Sequence, residues 1–235
     1  TGEPMWYDKD PQFSAVTLSK NGMVPLTIVE GDRVTYEPYL LTSLVRISVT
    51  EVAIRRFNIL DREQKRAAIE IAKLEDTRAF SVIDTAARTA TGHNTVSSST
   101  AGTTRAVLAD NFAQLEQWNS PVQTILMHPS RFRDIRVWSR NDLDPVTHYE
   151  IRKTGYLGDL WGAAVRVSMQ IPAGYVYVVT EPQLFGVCSV RIDLSNWEAP
   201  DQQKLQHGWV FFEYLAHIAI IAQGAAAASV TGNVS

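Results

Sequence analysis

The sequence predicts an α+β fold, and three observations predict it. Strand-like runs stand both before and after a single long helical stretch. That stretch, from Asp61 to about Arg88, contains neither glycine nor proline. The later strand runs are separated by Pro- and Gly-containing turns, so the order is not a regular βαβ alternation. Composition agrees: 235 residues, 45% hydrophobic and 20% charged, can build a real core. The net charge of -3 gives no basic excess for direct nucleic-acid binding. The single cysteine, Cys188, excludes an intrachain disulfide and a metal site built of several cysteines, and fits a reducing compartment.

Residues 1–23 read as an N-terminal arm. Met5, Trp6, Phe13, Val16 and Leu18 follow neither a helical nor a strand period. Trp6, Tyr7 and Phe13 are costly to leave in water, so the arm is expected to lie on another surface. Residues 24–39, "VPLTIVEGDRVTYEPY", read as a hairpin turning at Gly31-Asp32, where glycine supplies the positive φ of a tight turn. A two-residue turn sets Val29 opposite Val34, Thr27 opposite Tyr36 and Pro25 opposite Pro38. The proline rung cannot donate to a ladder and is a candidate hinge. Apolar residues fall on both faces: Val24, Leu26, Ile28 and Tyr39 on one, Val29, Val34 and Tyr36 on the other. A lone hairpin is marginal in water and needs support from elsewhere.

Residues 40–102 hold a strand (Leu40 to Val49), a short helix or turn ("TEVAIRRFN") and the long helix. Asp61, with Gln64 three residues on, forms a capping-box pattern. Ala68, Ala72, Ala79, Ile83, Ala86 and Ala87, widened by Ile69, Leu74, Phe80 and Val82, form its apolar stripe. Such a helix is roughly 40 Å long, and Gly92 stops it. His93 to Thr104 reads as a polar loop.

Residues 103–208 form a mixed body. Thr104 to Trp118 is amphipathic, with Val107, Leu108, Phe112 and Leu115 on one side; Val122 to Met127 is a strand; and Pro129 turns the chain into a helix. Asn141 to Gly158 is polar and irregular. "LWGAAVRVS", "YVYVVT" and "GVCSVRIDL" are strands, and Ser195 to Gly208 is a polar loop. Residues 209–235 are a closing strand and a tail, "GAAAASVTGNVS", that reads as an extended end or frayed turn. Trp209 to Ala228 is apolar enough to suggest a membrane span. It contains Glu213, His217 and Gln223, however, and a glutamate at membrane depth is costly, so a membrane is not expected.

No residue pattern points to catalysis. His93, His128, His148, His207 and His217 lack helical metal spacing and there is no His-Glu-x-x-His, so no metal is expected. Cys188 sits in a strand pattern and reads as buried filler rather than a nucleophile. A Gly-x-Ser-x-Gly elbow and a Gly-rich phosphate loop are both absent. The pair Glu75-Asp76, mid-helix, suits a solvated stripe or a partnership with Arg78 better than a catalytic dyad. The basic clusters in "RVWSR" and "VRISVTEVAIRR" read as solvated faces. No enzyme activity and no cofactor are expected; an enzyme reading would draw on His93, Asp76 and Cys188.

The order of elements resembles the Hong Kong 97-type major capsid protein of tailed bacteriophages, a fold shared with encapsulin nanocompartments. Local phrases are similar as well. "VRISVTEVAIRRFN" followed by "KLEDTRAF" resembles a strand leading into a spine helix with a Glu-Asp pair before an aromatic. "ILMHPSRFRDI" resembles the strand-Pro-helix segment of the axial domain. "GYLGDLWGAAVRVSMQIPAGYVYV" resembles the Gly-rich run ending in a Pro-x-Gly turn, and "HGWVFFEYLAHIAII" the closing peripheral strand.

The resemblance implies an N-arm, an E-loop hairpin, a long spine helix and interleaved peripheral and axial domains. It implies hexamers and pentamers closing an icosahedral shell around double-stranded DNA held by enclosure, in a virion assembled in the host cytoplasm. Portal, and decoration or scaffolding, proteins would be its partners. Trp6, Phe13, Leu26, Ile28, Gly31, Asp32, Arg33, Val34 and Tyr36 would contact neighbouring subunits, with Glu75 and Asp76 as the spine's acidic pair. The Thr1 start fits a leader or scaffolding segment removed in maturation, and equally a sequence that begins late in the natural chain. An encapsulin-type compartment is the alternative.

Overall fold

A computed structural model describes residues 5–8, 33–54, 59–89, 95–98, 102–138 and 158–230. The chain divides into two units, Thr1–Tyr39 and Leu40–Ser235. In the first, strand β1 (Met5–Asp8) pairs antiparallel with β2 (Arg33–Tyr36), setting Met5 opposite Tyr36, Trp6 opposite Thr35, Tyr7 opposite Val34 and Asp8 opposite Arg33. The arm is thus not wholly an unpaired extension: four of its residues give backbone partners to the strand after the predicted turn. The other predicted hairpin strand, Val24 to Val29, and the turn at Gly31-Asp32 lie outside the described residues.

Strand β3 (Tyr39–Ser48) enters the second unit at Leu40, and the single helical turn and a half α1 (Val49–Ile54) follows it. Helix α2 (Ile59–Thr89) has 31 residues and is roughly 46 Å long at 1.5 Å per residue. It starts two residues before the predicted cap, because Ile59 is buried and holds the first turn. Asp61 is therefore an acidic residue inside that turn, favourable to the helix dipole, rather than the N-cap. The packed stripe also differs from prediction. Ala67, Ile71, Ala86 and Ala87 are buried and Glu75, Ala79 and Ile83 half-buried between them, at steps of three or four residues, while Ile69, Ala72 and Leu74 are exposed.

After it come β4 (Thr95–Ser98), α3 (Arg105–Glu116), β5 (Val122–Met127) and α4 (Pro129–Val137). The Thr104 side chain caps α3 by accepting from the Val107 amide, and His128 caps α4 by accepting from the Ser130 amide ahead of Pro129. "LWGAAVRVS" is not one strand. β6 (Asp159–Leu160) and β7 (Ala163–Val167) are joined by Trp161 and Gly162, whose φ of 52° and 83° make a tight hairpin turn. Strand β8 (Tyr175–Thr180), one helical turn at Pro182–Phe185, and the long antiparallel pair β9 (Gly186–Glu198) and β10 (Gln206–Ala219) follow. The predicted polar loop 195–208 shrinks to residues 199–205 between these strands. The chain then enters β11 (Ala225–Val230).

Two sheets result. One has three strands in the order β3-β10-β9, the other six in the order β4-β11-β8-β5-β7-β6. Two predictions are corrected here. The loop 93–104 contributes β4, parallel to β11, and the expected tail is a strand between β4 and β8 with Ala225 to Ala228 at 0% exposure. The six-stranded sheet is apolar on both sides. Ala226, Ala228, Ile125, Met127, Val176 and Val178 join α3 and α4 in one core. Ala225, Ala227, Leu126, Tyr177 and Val179 meet Ala86 and Ala87 of α2 in the other. That is the period-two alternation of a strand buried on both faces.

Candidate functional site

Helix α2 touches both sheets, and its polar side chains mark where. Near its end, the buried Tyr177 phenol donates to Asp84 Oδ1 at 2.7 Å, Arg88 pairs with Asp84 Oδ2, and the Arg88 guanidinium lies 5.2 Å from the Tyr175 ring centre. Burial pushes the Tyr177 phenol well above its ordinary range, with the bond to Asp84 adding to the shift. Arg88's own hydrogen bond to Asp84 raises the guanidinium above its ordinary value. The network fixes the helix end on the six-stranded sheet. Buried charge on the opposite face is matched as well: Arg131 donates to the Ala173 and Val230 carbonyls and lies 3.7 Å from Asp134, whose other bond is to the Thr103 amide.

Mid-helix, Glu75 occupies the packed stripe and faces the three-stranded sheet. Its Oε1 lies 3.8 Å from His217 Nε2 on β10. Cys188 on β9 is the direct cross-strand partner of His217, and the ligand atoms of all three lie within 4.8 Å of one another. Glu75 therefore has a partner that its sequence position beside Arg78 did not suggest, whereas Asp76 is exposed. Cys188 is exposed rather than buried filler, because β9 is an edge strand. Its thiol is nonetheless crowded: partial burial is the largest influence on it and raises its pKa, with Glu75 and Glu213 adding to the shift. Burial lowers His217, partly offset by Glu75 and Asp76. Glu213, buried on β10, is raised by burial and then by Glu75 and Asp193.

The three-stranded sheet also leaves apolar surface uncovered. On β9, Val190, Ile192 and Leu194 are 51%, 41% and 43% exposed at alternate positions, and Trp197 is 70% exposed. Leu40 and Leu44 are exposed on β3, at the opposite edge of the sheet. Apolar side chains gathered along an edge strand make this surface a candidate for pairing with another chain.

Of the residues expected to contact neighbours, Trp6 lies on β1, and Arg33, Val34 and Tyr36 lie on β2, with Val34 and Tyr36 half-buried. Phe13, Leu26, Ile28, Gly31 and Asp32 lie outside the described residues. Of the three residues an enzyme reading would draw on, His93 lies outside the described residues, and Asp76 and Cys188 are both exposed. Sequence reading predicted β9 as a strand through Leu194 but did not single out its exposed apolar side, although "VCSVRIDLSNW" carries apolar residues at every second position through Leu194.

Among solved structures, the capsid of Cyanophage P-SCSP1u is similar with a TM-score of 0.74 at 13% identity, covering 99% of this chain and 85% of that one. The mature capsid of bacteriophage PhiM1 is similar with a TM-score of 0.68 at 10% identity, covering 97% and 82%. The chain has the Hong Kong 97-type capsid fold. The SrpI encapsulin complex from Synechococcus elongatus shares it at a TM-score of 0.62 and 13% identity, covering 87% and 79%. No family model matches the sequence, and no curated protein matches it. Among the described residues, no helix is long and apolar enough to cross a membrane.

Proposed function

We propose that this protein is the shell subunit of a tailed-phage capsid, without catalytic activity. Copies assemble into hexamers and pentamers that close an icosahedral shell around double-stranded DNA, held by enclosure rather than by specific binding. In this reading α2 is the spine helix. The sheet β3-β10-β9 belongs to the peripheral domain and the six-stranded sheet to the axial domain. The first unit supplies the arm and hairpin that neighbours receive. Shells form in the host cytoplasm and become the virion capsid, with a portal and decoration or scaffolding proteins as further partners.

One observation carries the reading: a capsid-type fold whose three-stranded sheet exposes Val190, Ile192, Leu194 and Trp197 along an edge strand. In this reading a second copy of the same chain covers that edge. The likeness to an encapsulin favours a second reading, a compartment around protein cargo. We put it second because the encapsulin match has the lower TM-score and smaller coverage.

The test is the Ile192→Glu variant, examined by electron microscopy and circular dichroism. The expected outcome is a folded subunit that yields no shells where the unaltered chain yields them. Normal shells from Ile192→Glu would remove this surface from the assembly account. Nucleic acid rather than protein cargo inside particles purified from their native source separates the phage reading from the compartment.

A further inference from the structure

We propose that Glu75, Cys188 and His217 form a binding site for a divalent transition metal, with zinc the ion that their chemistry fits best. The three come from three elements: the middle of α2, the edge strand β9 and the central strand β10. Cys188 and His217 are held opposite each other by the antiparallel ladder, so their separation does not depend on a flexible loop. Glu75 is brought over them because it sits in the packed stripe of α2, between Ile71 and Ala79, where an apolar residue would serve a plain helix–sheet contact better.

The distances suit an ion. A tetrahedral zinc with bonds of about 2.0–2.3 Å spaces its donors roughly 3.3–3.7 Å apart. Here His217 Nε2 and Glu75 Oε1 are 3.8 Å apart and all donor atoms lie within 4.8 Å of one another, so side-chain rotations of about an ångström close the set. The donors are one imidazole nitrogen, one thiol sulfur and one carboxylate oxygen. Harder ions such as magnesium and calcium prefer all-oxygen sites, whereas zinc takes this mixture. Three protein donors leave a fourth position for water. One side of the site is apolar: Ala79, Val82, Ile83, Phe185 and Ile218 line an adjoining cavity of about 160 Å³ that Cys188 and His217 also border. Binding releases the thiol proton, and the ion then ties the helix to both strands.

The experiment is cobalt(II) and zinc(II) titration of the full chain, with metal content measured after dialysis. Cys188 is the protein's one cysteine, so a thiolate-to-cobalt charge-transfer band reports on this site alone. The expected result is that band, the strong visible absorption of four-coordinate cobalt, and about one zinc per chain. Cys188→Ser, a near-isosteric change at an exposed position, abolishes the band. Glu75→Gln and His217→Gln each weaken binding by more than the roughly ten-fold that loss of an outer hydrogen-bond partner costs. Circular dichroism checks that each variant is folded, and zinc is expected to raise the melting temperature of the unaltered chain but not of Cys188→Ser. Absence of the band in the unaltered chain, or a band unchanged in both Glu75→Gln and His217→Gln, overturns the proposal.

Discussion

The two sheets of the second unit solve the burial problem differently. The six-stranded sheet has apolar side chains on both faces, and helices of its own chain cover both: α3 and α4 on one side, the end of α2 on the other. The three-stranded sheet is covered where α2 crosses β10, but its edge strand β9 keeps Val190, Ile192, Leu194 and Trp197 in solvent. Charged and reactive groups follow the same division. Tyr177, Asp84 and Arg88 are mutually satisfied on the first sheet, whereas Glu75, Cys188, His217 and Glu213 crowd together on the second. One sheet is covered within the subunit, and the other leaves apolar side chains of its edge strand exposed.

Core substitutions break the comparison hardest. Leu108→Ala, fully buried between α3 and the six-stranded sheet, is expected to lose about 2–5 kcal/mol in denaturant unfolding. Ala226→Leu overpacks the same core and is expected to lose about 1–3 kcal/mol. A side chain at Gly186 would place its Cβ 2.3 Å from the Ile218 carbonyl oxygen, so Gly186→Ala must push β9 off β10. It is expected to destabilise by about 1–3 kcal/mol, while Gly174→Ala, which meets nothing within 4 Å, changes little. Equal losses at the two glycines would count against the tight strand junction.

Much of this fold is legible in the sequence where local pattern and burial agree. Val107, Leu108, Phe112 and Leu115 predict the buried side of α3, and a stretch without Gly or Pro predicts α2. Strand β11 was hidden for a physical reason: alanine is the best helix former, so four alanines in a row oppose a strand locally, and pairing with β8 and β4 overrides that preference. The β6–β7 turn was hidden because Trp161 stands in a left-handed conformation that Asn or Asp usually takes. The Glu75–Cys188–His217 cluster cannot be read from spacing at all. It exists through the β9–β10 register and the crossing of α2.

Acidity sharpens the contrast more gently. The Glu213 carboxyl is raised above 4.5, so its neutral form suits the folded state. That stabilisation is complete below the unfolded value and lost as pH rises through the raised folded one. Glu213→Gln, measured in chelator, is expected to be more stable than the unaltered chain at neutral pH, with the advantage shrinking toward pH 4.5. An advantage that is constant across this range would contradict a buried carboxyl here. The smallest effect on the subunit belongs to the exposed edge: Trp197→Ser, which loses an edge-on contact with Phe212 at 4.7 Å between ring centres, is expected to cost about 1 kcal/mol of unfolding free energy while reducing shell yield.

The central claim is that sister subunits cover what the three-stranded sheet leaves open. Hydrogen exchange along β9, compared between dissociated subunits and purified particles seen by cryo-electron microscopy, tests it most directly. The account predicts closed shells in which residues 186–198 gain protection on assembly. A chain that stays monomeric at high concentration, or particles in which these residues exchange as fast as in the free subunit, would contradict it.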